Sequence, residues 1–180
     1  IPALLPPGAA VGARVLWYRE SNGRMRVTEP VGWLKSPLGE NWEVTVSGLV
    51  DMVSGASAYA VNNQSGRPAQ ILTSASITER RTAGDVSLKR KWDGGSVSLT
   101  RTQSSEKDYT SNATSLNATF DFNQRNTTLA LGAGEARDDV GSRDDLTLNE
   151  HRRSHEVLAG VTQLLDRHAL VQSNLVFTRH

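Results

Sequence analysis

The chain has 180 residues, 22% of them charged, and a formal net charge of +1, so it has room for one domain and no charge excess that would favour nucleic acid. Cysteine is absent, which excludes disulfides and thiolate metal sites. The apolar runs are short and the mean hydropathy is −0.42, which excludes a membrane-spanning helix.

The first ten residues, IPALLPPGAA, contain three prolines. Proline fixes one backbone angle and removes a hydrogen-bond donor, so the composition predicts an extended segment over residues 1–10. Residues 11–180 are then expected to form a single domain.

Apolar and polar side chains alternate along most of the remaining chain, as they do in strands with one face on each side of a sheet. No segment has the 3.6-residue apolar stripe of a helix. The alternation is clearest over Trp42–Met52, and Asp93-Gly94-Gly95 marks a tight hairpin turn. About nine strands are predicted: Val11–Glu20, Arg24–Lys35, Trp42–Met52, Ala75–Trp92, Ser96–Ser105, Tyr109–Phe122, Thr127–Arg137, His151–Leu164 and Leu170–His180.

The connections between these strands alternate in length. SPLGEN (36–41), DGG (93–95), NQRN (123–126) and LDRH (165–168) are short, whereas 53–74, 104–108 and 138–150 are longer and SNGRM (21–25) is a short exception. In an antiparallel up-and-down meander every second connection lies at the same end, so one end has tight turns. This asymmetry is typical of bacterial outer-membrane β-barrels, whose short turns are periplasmic. We therefore expect a periplasmic amino terminus and cell-surface exposure of 53–74 and 138–150.

The two faces of the central hairpin differ in polarity. Val86, Leu88, Trp92, Val97 and Leu99 share one face, and Ser87, Lys89, Lys91, Ser98 and Thr100 share the other. A soluble β-sandwich or barrel would bury the apolar face, whereas a membrane barrel turns it towards lipid and lines its lumen with the polar face. The recurrent hydroxyl residues favour the membrane barrel.

Aromatic residues near the predicted strand ends also favour it, because such residues form girdles at the membrane interface. They are Trp17, Trp33, Trp42, Trp92, Phe120 and Phe122. Arg90 and Arg101 on the apolar face argue against it, unless both side chains extend to the two membrane interfaces.

Several segments resemble an uncharacterised bacterial family, domain of unknown function 3570. They include the Pro-Leu-Gly turn before the Trp42 strand, the segments Asp51–Ser57 and Glu106–Tyr109, the strand start Asn126–Thr128, and Gly160–Gln163. The resemblance extends from about residue 12 to the end. It implies an outer-membrane β-barrel of Gram-negative bacteria, and no established activity or cofactor.

Three groups of residues are candidates for a metal site or for catalysis. His151, Arg153 and His155 share a strand face, with the imidazoles about 13 Å apart, too far for one metal ion. Asp51, Ser54 and Ser57 lack an identifiable base, so they are interpreted as a strand end. The acidic stretch Arg137–Glu150 lacks the spacing of a calcium loop and is interpreted as a solvated loop. No catalytic, cofactor-binding or metal-ligating residue is therefore predicted, and the protein is expected not to be an enzyme.

The predicted function is that of an outer-membrane pore, transporter or surface component for small polar solutes. Lys89 and Lys91 with Glu43, Thr45 and Asp51 would line the lumen. The alternative is a structural barrel that holds a periplasmic or extracellular protein, its luminal charges pairing with one another. Outer-membrane lipid is the expected partner in both cases, and nucleic acid is not.

Nine strands are an odd number, whereas single-chain bacterial barrels have an even number. Unpaired edges would be costly in hydrocarbon. Further chain beyond residue 180, a second subunit or a miscounted strand is therefore expected to pair with the first and last strands, and the resemblance favours further chain.

Overall fold

The computed structural model describes residues 6–21, 25–56, 60–61, 68–69, 76–141, 147 and 149–179. Its strands are β1 Ala10–Arg19, β2 Met25–Leu38, β3 Trp42–Ala56, β4 Ala60–Val61, β5 Pro68–Ala69, β6 Ser76–Trp92, β7 Gly95–Ser105, β8 Tyr109–Phe122, β9 Thr127–Gly141, β10 Asn149–Leu164 and β11 Leu170–Arg179. The described residues contain no helix, and so none that is long and apolar enough to cross a membrane.

Nine of the strands form one antiparallel sheet in the order β1-β2-β3-β6-β7-β8-β9-β10-β11. Each strand pairs with the next along the chain, which confirms the predicted up-and-down meander, and β4 and β5 pair separately. Within the described residues β1 is not paired with β11, so the sheet is open. The nine-stranded all-β sheet predicted from the sequence is confirmed.

The tight turns lie at one end of the sheet, as expected. Gly39 and Gly94 adopt φ of +74° and +83°, which glycine tolerates better than any other residue. The β8–β9 turn uses non-glycine residues instead, with φ of +50° at Asn123, +54° at Gln124 and +66° at Arg125.

Several predicted boundaries were wrong because the strands are longer than their apolar parts. The SPLGEN turn is narrower than expected, since β2 continues to Leu38. β3 continues to Ala56, and β4 and β5 lie within the expected loop 53–74; residues 57–59, 62–67 and 70–75 are outside the described part. β9 and β10 extend into the expected loop 138–150, with Asp138 paired to Arg152.

The register assigns each side chain to one of two faces. We call apolar face the one that carries Val46, Val86, Leu99 and Leu116, and polar face the one that carries Thr45, Ser87, Ser98 and Ser115. These faces are continuous from β1 to β11, because the register partners of one face on each strand all lie on the same face of the next strand.

The apolar face is the exposed one. Val86, Leu99, Leu116 and Val157 are 50–54% exposed, and no apolar side chain in the described part is buried. On β3, β6 and β7 the polar-face residues 43–53, 81–89 and 96–104 are all partly covered, whereas most apolar-face neighbours are exposed. This is the distribution expected when the polar face is the concave side of a curved sheet.

A single layer of this kind leaves far more surface exposed than a compact protein does. The chain has 13515 Å² of accessible surface, against roughly 8,500 Å² for a compact monomer of its mass. A second layer that would cover the apolar face is not present in the described residues.

Candidate functional site: the polar face of the sheet

Hydroxyl and carboxylate side chains form cross-strand hydrogen bonds along the polar face. Ser96 and Thr119 hydroxyls lie 2.9 Å apart, the Thr100 hydroxyl donates to Ser87 Oγ at 2.9 Å, and Ser47 donates to Asp85. At the end of the next hairpin Thr128 donates to Asp121 Oδ1 at 2.7 Å. These bonds join β3 to β6, β6 to β7, β7 to β8 and β8 to β9, so small polar side chains cover the width of the central sheet.

Charges are paired near the tight turns. The Glu43 carboxylate lies between two ammonium groups, with Oε2 3.0 Å from Lys35 Nζ and 2.7 Å from Lys91 Nζ. Three strands, β2, β3 and β6, contribute one residue each. Glu43 is the most covered of the three, with 17% of its side chain exposed, whereas the lysines are 45% and 50% exposed. The cluster therefore presents two solvent-exposed cations over one carboxylate.

A second charged group lies towards the other end of the same face. Arg81 Nη2 is 3.7 Å from Asp51 Oδ2, and Arg81 Nε is 4.0 Å from Glu106 Oε1. These three residues and Val53 line a small cavity of about 40 Å³. The predicted lining residues Glu43, Thr45, Asp51, Lys89 and Lys91 are thus all on the polar face, with Asp51 separated from the lysines along the sheet.

Asp138 was not identified as a polar-face residue from the sequence. It is only 9% exposed, it lies opposite Ser111 on β8 and Arg152 on β10, and the side chain of Tyr109 is close to it. The spacing of Ala136, Asp138 and Val140 is consistent with one face of a strand, but the charged residues around Asp138 made this segment look like a loop in the sequence.

Aromatic side chains flank the tight turns on the apolar face. Trp92 and Phe120 rings are 6.1 Å apart and tilted by 54°, and the Arg90 guanidinium lies 5.6 Å from the Trp42 ring centroid. Trp33 was wrongly assigned to this girdle. It pairs with Ser47 and lies on the polar face, where its ring covers Gly12.

None of the three candidate groups forms a metal site or a catalytic site in the described residues. His151, Arg153 and His155 lie on one face of an uninterrupted β10, and His151 Nδ1 is 2.6 Å from Asp139 Oδ1. Asp51 and Ser54 are on opposite faces of β3, while Ser57 is outside the described residues. Asp138 and Asp139 point to opposite faces of β9 and do not form a loop. In the described ranges no cluster of three His, Asp or Glu side chains could hold a metal ion.

Comparison with known proteins identifies the family and nothing closer. The family described as "Protein of unknown function (DUF3570)" matches residues 5–150, so the chain belongs to it. This confirms the resemblance in the sequence, although the Gly160–Gln163 segment lies beyond the matched range. The searches of curated proteins and of solved structures gave no match.

Proposed function

We propose that the sheet is the wall of a β-barrel in the bacterial outer membrane, with the apolar face in lipid and the polar face towards a water-filled lumen that small polar solutes cross. The observation that carries this proposal is the inverted polarity of the sheet: the exposed face is apolar and the covered face is polar. A water-soluble β-sandwich has the reverse arrangement, because its apolar faces pack on each other.

The shape of the sheet supports the same proposal. A meander with tight turns at one end is the topology of membrane barrels, in which all backbone groups pair between neighbouring strands. The aromatic pair Trp92–Phe120 and the Arg90–Trp42 contact lie at the tight-turn end of the apolar face. That is the arrangement expected at a membrane interface.

Tryptophan fluorescence tests which face meets lipid. Two single-tryptophan variants of the full-length protein, one retaining Trp92 and one retaining Trp33, are reconstituted into vesicles with brominated acyl chains. Bromine quenches only indole groups near the hydrocarbon, so Trp92 should be quenched strongly and Trp33 weakly. Equal quenching, or stronger quenching of Trp33, would overturn the assignment of the two faces.

The alternative is a barrel that serves as a scaffold for a periplasmic or extracellular protein. Its support is the pairing of Glu43 with Lys35 and Lys91 and of Arg81 with Asp51, since paired side chains can fill a narrow lumen. Planar-bilayer recordings separate the two functions: ion-permeable steps support the pore, and electrically silent insertion supports the scaffold.

A further inference from the structure

Beside the apolar band, on the same face but nearer the long connections, lies a row of polar residues. Arg101, Thr114, Glu135, His155 and Arg179 are consecutive register partners on β7 to β11. The next row away from the tight turns contains Gln103, Asn112, Arg137 and Arg153. We call Arg101, Arg137, Arg153 and Arg179 the arginine belt.

The two rows that contain the arginine belt have an excess of positive charge, because they carry four guanidinium groups and a single carboxylate, that of Glu135. Glu135 accepts from Arg137 at 2.7 Å and from Arg153 at 3.0 Å. Arg101 has neutral partners instead, the Thr114 hydroxyl at 2.7 Å and Asn112 Oδ1 at 3.4 Å. Within the two rows Glu135 pairs with Arg137 and Arg153 and not with Arg101.

A cavity lies within the belt. It has a volume of about 220 Å³ and is lined by Arg101, Asn112, Thr114, Glu135 and Arg137. Two guanidinium groups, two neutral hydrogen-bonding side chains and the Glu135 carboxylate surround the hollow. Glu135 pairs with Arg137, whereas Arg101 has only neutral partners, so the Arg101 guanidinium is the group best placed to bind a phosphate oxygen.

The apolar band begins directly beside this cavity. Leu99, Leu116, Ala133, Val157 and Phe177 form the adjacent row of the same face, about 7 Å away along the strands. Leu99 and Leu116 are each 50% exposed. A free anion would use the arginines alone, whereas a phosphorylated lipid would also place its acyl chains on this row.

We propose that the arginine belt binds the phosphorylated sugar headgroup of the outer-leaflet glycolipid, lipopolysaccharide, with its acyl chains on the adjacent apolar row. This proposal rests on the proposed function, because the apolar face must be in the membrane for the lipid to reach it. The position of the belt at the end with the long connections places it in the outer leaflet if those connections are at the cell surface.

Lipid binding by the full-length protein in detergent tests the proposal. The probes are diphosphoryl lipid A and the same glycolipid with both phosphates removed, with binding measured by native mass spectrometry. The intact protein should retain the diphosphoryl form about tenfold more tightly. Arg101→Gln combined with Arg137→Gln should remove that preference, since each cation near an anionic headgroup contributes several-fold.

Arg14→Gln combined with Arg125→Gln is the matched control. It also removes two cations, one on the polar face and one in a tight turn, and should retain the preference. Equal retention of the two glycolipid forms, equal retention of phosphatidylglycerol, or an equal loss in the control would each overturn the proposal. The arginine substitutions are also made in the variant that retains Trp92 alone, and its quenching is recorded in vesicles with brominated acyl chains. Quenching without phosphate preference refutes the belt alone, whereas absence of quenching refutes the membrane location.

Discussion

The β8–β9 turn places three successive non-glycine residues in the left-handed region, with Gln124 in the middle. A side chain in this region costs roughly 1 kcal/mol relative to glycine. Gln124→Gly should therefore stabilise the protein by about that amount, measured by urea unfolding of the protein in vesicles. Gln172→Gly, in strand β11, is the control and should destabilise, because glycine weakens a strand interior. An unchanged or lower stability for Gln124→Gly would show that the turn relaxes at no cost.

A glycine also determines where Trp33 lies. A Cβ atom built on Gly12 would overlap the Trp33 ring. Gly12→Ala should displace the ring and destabilise the β1–β2 hairpin by about 1–3 kcal/mol, the usual cost of overpacking. Gly32→Ala on the neighbouring strand, where an added Cβ meets nothing within 4 Å, should have little effect. Comparable losses in the two variants would show that the contact with Trp33 is not the cause.

At the level of the strands, sequence alternation predicts the number and type of elements better than their ends. Nine strands and the tight turns at Gly39 and Gly94 followed from apolar periodicity and turn residues. The ends of β9 and β10 did not, because Arg137, Asp138 and Asp139 are polar on both faces and carry no alternation. They are in a strand because β8 and β10 pair with them on both sides. The prediction for Trp33 was wrong because it relied on residue type and not on alternation. An aromatic residue near a strand end suggested an interfacial girdle, but Trp33 is two residues from Lys35 on β2 and therefore lies on the polar face.

The two ends of the strands should differ in accessibility on intact cells. The connections 57–75 and 142–148 contain Arg67 and Arg143, and the tight turns contain Arg125 and Arg167. External trypsin should cut after Arg143 and spare Arg125 and Arg167, if the tight turns are periplasmic. Arg67 is followed by Pro68, and trypsin does not cleave that bond. Permeabilised cells are the control, in which Arg125, Arg143 and Arg167 all become reachable by the enzyme. Cleavage at Arg125 or Arg167 in intact cells would reverse the proposed orientation.

For the whole molecule, the sequence predicted a polar and an apolar face, and the structure adds that the polar face is the covered one. What could not be predicted is how the charges on the polar face combine, since Lys91 comes from a strand that is distant in sequence from the hairpin that carries Lys35 and Glu43. Their grouping depends on the register, which was not specified by the alternation alone. If the sheet forms the proposed barrel, the solutes that its lumen passes depend on such groups more than on composition.

The Glu43 cluster makes a prediction about ion selectivity. Glu43→Gln removes the carboxylate between two exposed ammonium groups, which leaves Lys35 and Lys91 on the polar face without the counter-charge they share. If the lumen conducts, the reversal potential in a KCl gradient should shift towards anion selectivity, and Lys91→Gln should shift it towards cations. The recordings belong at low salt, because exposed charges are screened beyond about 10 Å at 0.1 M ionic strength. Arg125→Gln, in a tight turn outside the polar face, is the control and should leave the reversal potential unchanged.

Shifts of the same sign for Glu43→Gln and Lys91→Gln would show that these charges do not line the conduction path. Electrically silent insertion of every variant would favour the scaffold over the pore.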